Sequence, residues 1–305
     1  MKTVIASLLL LAAFCAFAQD MPAEYSAVLT YLGKKGDYRA NVFKLNIPRS
    51  DLHIRVAGTD VPTPFGFGGW LAMTKGDRGR NVMMGDLVLL QDEVNPVMSA
   101  LLDNGLEVTA LHNHFFWDEP KIYYMHVHGM GTPDELAHKV KPALDLIGHI
   151  PGTLQPGAFS SPSDIQGGTI DTKALDAIVG ATGEQNGQVY KYTIGRSDLT
   201  VKEMGATINA RMGLNTWAAF YGTDQNAVVA GDVAMLEGEL NSVLKVLRAN
   251  NLSVVAIHHH MTGARPMIIF LHYWGKGAPA TLAKGFKAAL DVLGKKPMGD
   301  MKMDH

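Results

Sequence analysis

Apolar residues recur along this chain in two alternating periods, and the order of those periods is the same in its first and second halves. Short apolar runs over 40–47 and 82–90 read as β-strands, with Gly-rich strands between them ending near Met73. The runs over 188–194 and 227–236 repeat them, with Phe220 at the matching point. Over 92–104 the period changes: Val94, Val97, Met98, Leu101 and Leu102 fall at helical spacing, and Gly105 stands where such a helix stops. Leu240, Val243, Leu244 and Leu247 restate that helix.

Two further apolar strands are expected over 107–116 and 121–129, folded as a hairpin around Trp117-Asp118-Glu119-Pro120. An amphipathic helix over 133–148 puts Leu136, Val140, Leu144 and Ile147 on one side. With a short helix near 23–32 (174–179 in the second half), the pattern predicts an α+β fold. It consists of two tandem pseudo-symmetric repeats, each an antiparallel sheet with helices and a histidine-bearing β-hairpin.

The repetition is literal in places. Val42-Phe43-Lys44 and Arg49-Ser50-Asp51-Leu52 return as Val189-Tyr190-Lys191 and Arg196-Ser197-Asp198-Leu199. Gly85-Asp86 and Glu93 return as Gly231-Asp232 and Glu239, and Trp70 as Trp217. The expected units are 22–149 and 169–296, joined by a Pro-, Gly- and Ser-rich connector over 150–168 and followed by a Met- and His-containing tail over 297–305. So long a period excludes a solenoid array and favours two lobes.

The chemistry lies in the histidines. His112-Asn113-His114 with His126 returns as His258-His259-His260 with His272, and in both copies eleven residues separate the His-x-His pair from the later histidine. Side chains alternate faces along a strand, so His112 and His114 share a face, as do His126 and His128. An even sum of paired residue numbers, 238 or 240, puts all four on one face, with His112 opposite His126 or His128 at a Cβ spacing of roughly 5 Å. The same reasoning gathers His258, His260 and His272 and turns His259 away, while Trp274 stands in the place of His128.

Three imidazoles with an open position suit zinc or copper. Asp86, Glu93, Asp232 and Glu239 are the carboxylates expected nearby, as ligands, as acceptors for imidazole N–H groups, or as catalytic bases. Each also has a plainer reading: Asp86 and Asp232 in a turn, Glu93 and Glu239 at a helix N-terminus. The Arg49-Ser50-Asp51 motif and its copy read as a structural charge set, and Trp70 and Trp217 as core.

Composition narrows the setting. Apolar residues make up 47% and charged residues 18%, which excludes a disordered chain. Lys2, the apolar run over 4–17 and Ala16-Phe17-Ala18 read as a cleaved signal peptide over 1–18, which places the protein in the periplasm or outside the cell. A lipoprotein anchored at Cys15 fits less well, because bulky Phe14 precedes that cysteine. No later segment is long enough to be a transmembrane helix. Cys15 is the only cysteine, so the mature chain has no thiolate ligand. Without Lys2 the formal charge is 26 − 29 = −3 and no basic run is present, which argues against nucleic acid.

Taken together, Pro48-Arg49-Ser50-Asp51-Leu52, Gly85-Asp86, Glu93-Val94-Asn95-Pro96-Val97, Ala110-Leu111-His112-Asn113-His114, Pro120 and Met125-His126-Val127-His128-Gly129 resemble the LppY/LpqO-type family of bacterial secreted proteins and lipoproteins. The resemblance spans both copies and implies a bacterial exported protein without an assigned activity. Copy two departs from it at His259 and at Ala264-Arg265, where copy one has Asn113 and Asp118-Glu119; if Glu119 matters, only the first copy is active. Three functions follow as expectations: an exported metal-binding protein, a metal-dependent hydrolase acting through a metal-activated water, or a module that binds a small ligand or the cell wall without metal.

Overall fold

The computed structural model describes residues 20–149 and 163–295. The expected signal peptide, the connector over 150–162 and the tail lie outside the described residues.

The first repeat runs α1 (Ala23–Leu32), β1 (Gly36–Arg39), β2 (Val42–Pro48), β3 (Ile54–Val56), β4 (Thr59–Val61), β5 (Gly68–Lys75), β6 (Asn81–Leu90), α2 (Gln91–Asp103), β7 (Glu107–His112), β8 (Asp118–Glu119), β9 (Ile122–Gly131) and α3 (Pro133–Leu144). The second follows with α4 (Thr172–Val179), β10 (Glu184–Asn186), β11 (Val189–Gly195), β12 (Val201–Glu203), β13 (Ala206–Ile208), β14 (Asn215–Gly222), β15 (Ala227–Leu236), α5 (Leu240–Ala249), β16 (Ser253–His258), β17 (Ile268–Gly277) and α6 (Pro279–Val292). Each repeat builds a six-stranded antiparallel sheet, in the order β1-β2-β5-β6-β9-β7 and β10-β11-β14-β15-β17-β16. Gly105 ends α2 with a positive φ of 69°, as its position in the sequence predicts.

Side-chain alternation makes each sheet two-faced. In the first repeat Phe43, Leu45, Leu71, Met73, Leu87, Leu89, Met125 and Val127 point one way and pack under α1, α2 and α3. The other face of the sheet turns toward the second repeat. Two cores span that junction: one joins Phe65, Phe115 and Tyr124 to Tyr221 and Trp274, the other joins Val82 and Met84 to Leu214 and Phe270. The layers therefore run helices, sheet, sheet, helices, with the two sheets facing each other. Part of the connector docks here as well. Ile165 is buried in the junction, and Ser163 Oγ accepts a hydrogen bond from the Asp60 amide at 2.9 Å.

The hairpin expected over 107–129 forms differently. β7 ends at His112, and the chain leaves the sheet so that β8 can pair with β3 through Arg55↔Glu119 and Val56↔Asp118. β9 then returns to pair with β7 across a wide loop, with a bulge between Val108 and Ala110. The longer loop changes the register. His112 lies opposite Tyr124, an even sum of 112 + 124 = 236, so the shared face survives but His126 and His128 are not its partners.

Candidate metal centre and adjoining cleft

β7 and β16 are the outer strands of their sheets, and they meet at the junction between the repeats. His112 and His258 stack across it with ring centroids 3.8 Å apart. The loops beyond them then cross over. His114 stacks on His272 of the other repeat at 3.6 Å, and His126 on His260 at 4.0 Å. Within a repeat the rings are farther apart: His112–His126 at 5.1 Å and His258–His272 at 4.9 Å. The six imidazoles form one pseudo-symmetric crypt. Tyr124 and Phe270 cap its ends by stacking on His114 and His260.

Among the described residues two groups bring ligand nitrogens within 4.8 Å of one another: His112, His126 and His258, and His112, His114 and His272. Both draw on both repeats, and both use His112.

The crypt leaves nitrogens without partners. His126 and His272 each set Nδ1 3.2 Å from a backbone carbonyl, that of Gly85 and of Gly231 respectively. Donation from Nδ1 to the carbonyl leaves the lone pair on Nε2. Among the described residues no hydrogen bond reaches either Nε2, either nitrogen of His112, His114 or His258, or Nδ1 of His260. Each buried, unpaired polar atom costs about 1–3 kcal/mol. Burial and the neighbouring imidazoles hold all six rings neutral: His126 is pushed down to about 3, and the other five are lowered as well.

The remaining candidates fall elsewhere. His128 stands outside the crypt, with Nδ1 3.7 Å from Glu203 Oε1 of the second repeat; its counterpart Trp274 fills an aromatic core against Phe65 and Phe115. His259 is exposed, as alternation predicts. Glu93 and Glu239 are structural rather than catalytic. Glu93 is fully buried and receives Arg49 Nη1 at 2.6 Å and the amides of Leu90 and Gly148, each at 2.7 Å. Glu239 does the same with Arg196, Leu236 and Gly294. Asp51 and Asp198 complete these sets through the arginine Nε, which bears out the structural reading of the Arg-Ser-Asp motif. Glu119 is exposed on β8, apart from the crypt.

Asp86 and Asp232 do approach the histidines. They pair with His126 and His272 across β6/β9 and β15/β17, and Asp232 Oδ2 lies 3.8 Å from His260 Nε2. Asp232 Oδ1 accepts from the Leu271 amide at 3.0 Å, whereas Asp86 Oδ1 has no hydrogen-bond partner among the described residues. Burial raises both carboxyls, Asp232 to about 8; Asp86 is raised further by the neighbouring Asp232. Both line a cleft of about 560 Å³ that also touches His114, His260 and His272.

The cleft contains residues that the sequence reading passed over. Lys44 and Lys191 enter it with each ammonium 4.3 Å from the ring centre of Trp70 or Trp217. Both tryptophans are partly buried: each packs against a core cluster on one side, as expected, and forms a wall of the cleft on the other. The available signal was the return of Lys44 as Lys191 on the inward face of an otherwise apolar strand.

Comparison with known proteins adds a family. The family model described as Domain of Unknown Function (DUF1259) matches residues 26–146 and 173–292, one match per repeat. No curated protein matches. Among solved structures, the fused permuted hexameric shell protein from the RMM microcompartment has 12% identity over 70% of this chain and 81% of that one, with a TM-score of 0.19. The trimeric bacterial microcompartment shell protein PduB has 11% identity over 85% and 92%, with a TM-score of 0.20. EtuB from Clostridium kluyveri has 9% identity over 85% and 89%, also with a TM-score of 0.20. At such scores the likeness carries no functional argument.

Proposed function

The chain belongs to the DUF1259 family of unknown function, and we propose that it is an exported protein that holds one transition-metal ion, zinc or copper, in the crypt shared by its repeats. The observation that carries this reading is the pair His126 and His272. Each offers an unpartnered Nε2 lone pair inside a cluster of imidazoles, with the ring oriented by a carbonyl bond at Nδ1, which is the arrangement metal-binding histidines adopt. The all-imidazole donor set suits zinc and copper. Sharing His112 between both ligand groups supports one ion rather than one per repeat. The leader-like residues 1–18 and the resemblance to LppY/LpqO-type proteins support export to the periplasm. No helix among the described residues is long and apolar enough to cross a membrane.

Metal-dependent hydrolysis is the second reading. It is favoured by the cleft, which gives a ligand or water access to His114, His260 and His272 beside two carboxyls. The raised Asp86 and Asp232 suit proton transfer beside the crypt, but the unpartnered imidazole nitrogens need no reaction to account for them, so binding is the stronger reading.

Elemental analysis and calorimetric titration of the mature, untagged chain test the proposal. The expected result is one equivalent of zinc or copper, lost in His126→Ala/His272→Ala. A chain that is purified metal-free and takes up neither ion overturns it.

A further inference from the structure

The cleft beside the crypt has a charge arrangement that metal binding does not use. Lys44 and Lys191 reach it from equivalent positions of β2 and β11, one from each repeat. Burial lowers both ammonium groups to about 8, and Lys44 is lowered further by repulsion from Lys191. Two like charges thus face one cleft. Among the described residues neither ammonium has a carboxylate within 4.0 Å, and each lies against a tryptophan face. Asp37, opposite Lys44 across β1 and β2, is held in an ion pair with Arg211. Asp86 and Asp232 share the cleft but do not neutralise the lysines at contact distance.

An ammonium pair held this way stabilises whatever negative charge lies between it. The surrounding groups suit a small polar molecule: Asn46, Thr193 and Asn215 offer hydrogen bonds, and the tryptophans supply flat apolar walls. The cleft volume of about 560 Å³ has room for a metabolite-sized ligand.

We propose that this cleft is a binding site for a small oxyanion, a carboxylate- or phosphate-bearing molecule clamped between Lys44 and Lys191. His114, His260 and His272 line the same cleft. The site goes beyond the metal reading without depending on it, since Lys44 and Lys191 contribute no ligand to the crypt.

The test is calorimetric titration of the whole mature chain, stripped of metal and then zinc-loaded, with inorganic phosphate and with succinate. Binding of either probe is expected, weakened roughly ten- to hundredfold by Lys44→Met/Lys191→Met and unchanged by Lys245→Met, which removes an exposed charge away from the cleft. Preference for one probe identifies the ligand as phosphate- or carboxylate-bearing. Failure of both probes at millimolar concentration, or equal affinity in the double variant, overturns the proposal. Should the double variant not fold, acetic anhydride labelling of the unaltered chain decides the matter. Phosphate or succinate then protects Lys44 and Lys191 specifically, and absence of protection overturns the site. Failure of metal uptake with retained phosphate or succinate binding removes only the metal reading.

Discussion

His112 and His258, the same residue of two repeats, lie ring on ring with centroids 3.8 Å apart and planes 23° from parallel. Because they meet on the pseudo-symmetry axis, the two repeats have no separate centres to lose. His112→Ala alone is therefore expected to remove all metal uptake, and His258→Ala to weaken it by at least tenfold. Metal-to-protein ratios check this. A ratio falling from two to one in either variant would establish independent sites.

The buried Arg49–Glu93 pair leads to a stability prediction. Glu93→Ala takes from the buried Arg49 guanidinium its buried carboxylate, leaving half-exposed Asp51, and frees the amides of Leu90 and Gly148, so the loss should reach about 3–5 kcal/mol. Urea unfolding measures it. Metal content per folded chain should not change, because neither residue touches the crypt.

Acid should loosen the metal-free fold. The crypt histidines have folded-state pKa values below their ordinary value near 6.5, with His126 at about 3. Between those values the unfolded chain binds more protons than the folded one, so stability rises with pH there. The histidine contribution is full above about 6.5 and declines steadily as pH falls toward about 3, while the raised carboxyls of Asp86 and Asp232 act with the opposite sign. Thermal melts of chelator-treated protein between those limits check the slope. Zinc loading should flatten it, and a slope unchanged in His126→Ala/His272→Ala would assign it to other groups.

Gly231 supplies the carbonyl that orients His272, and a β-carbon at this position would run into the Trp217 carbonyl and the Tyr273 ring. Gly231→Ala should cost about 1–3 kcal/mol through overpacking. It should also weaken metal binding by about tenfold or more, because the shift needed to fit the β-carbon displaces the carbonyl that orients the ring. Melts and titrations of the same variant separate the two effects.

Much of this was readable from residue order. Alternation correctly put His112 and His126 on one face, and periodicity located the helices to within a few residues. Register was not readable, since β8 leaves to pair with Arg55 and Val56, a long-range contact that lengthens the loop and slips His112 onto Tyr124. Nor was the exchange of His114 and His260 between repeats, which depends on how two sheets face each other rather than on any local pattern. Glu93 reads alike as catalyst or cap until Arg49, forty-four positions earlier, is seen against it.

The crossing of histidines between halves has a historical consequence. A single repeat could have produced the same six-ring cluster by pairing with its twin about a two-fold axis, as isologous dimers do. Joining the twins end to end releases a constraint that such a dimer cannot escape, where every change is made twice. Off the axis the halves have diverged, with His128 and Glu203 together at one end and Trp274 among phenylalanines at the other. On the axis they have stayed alike, because there each half completes its sibling.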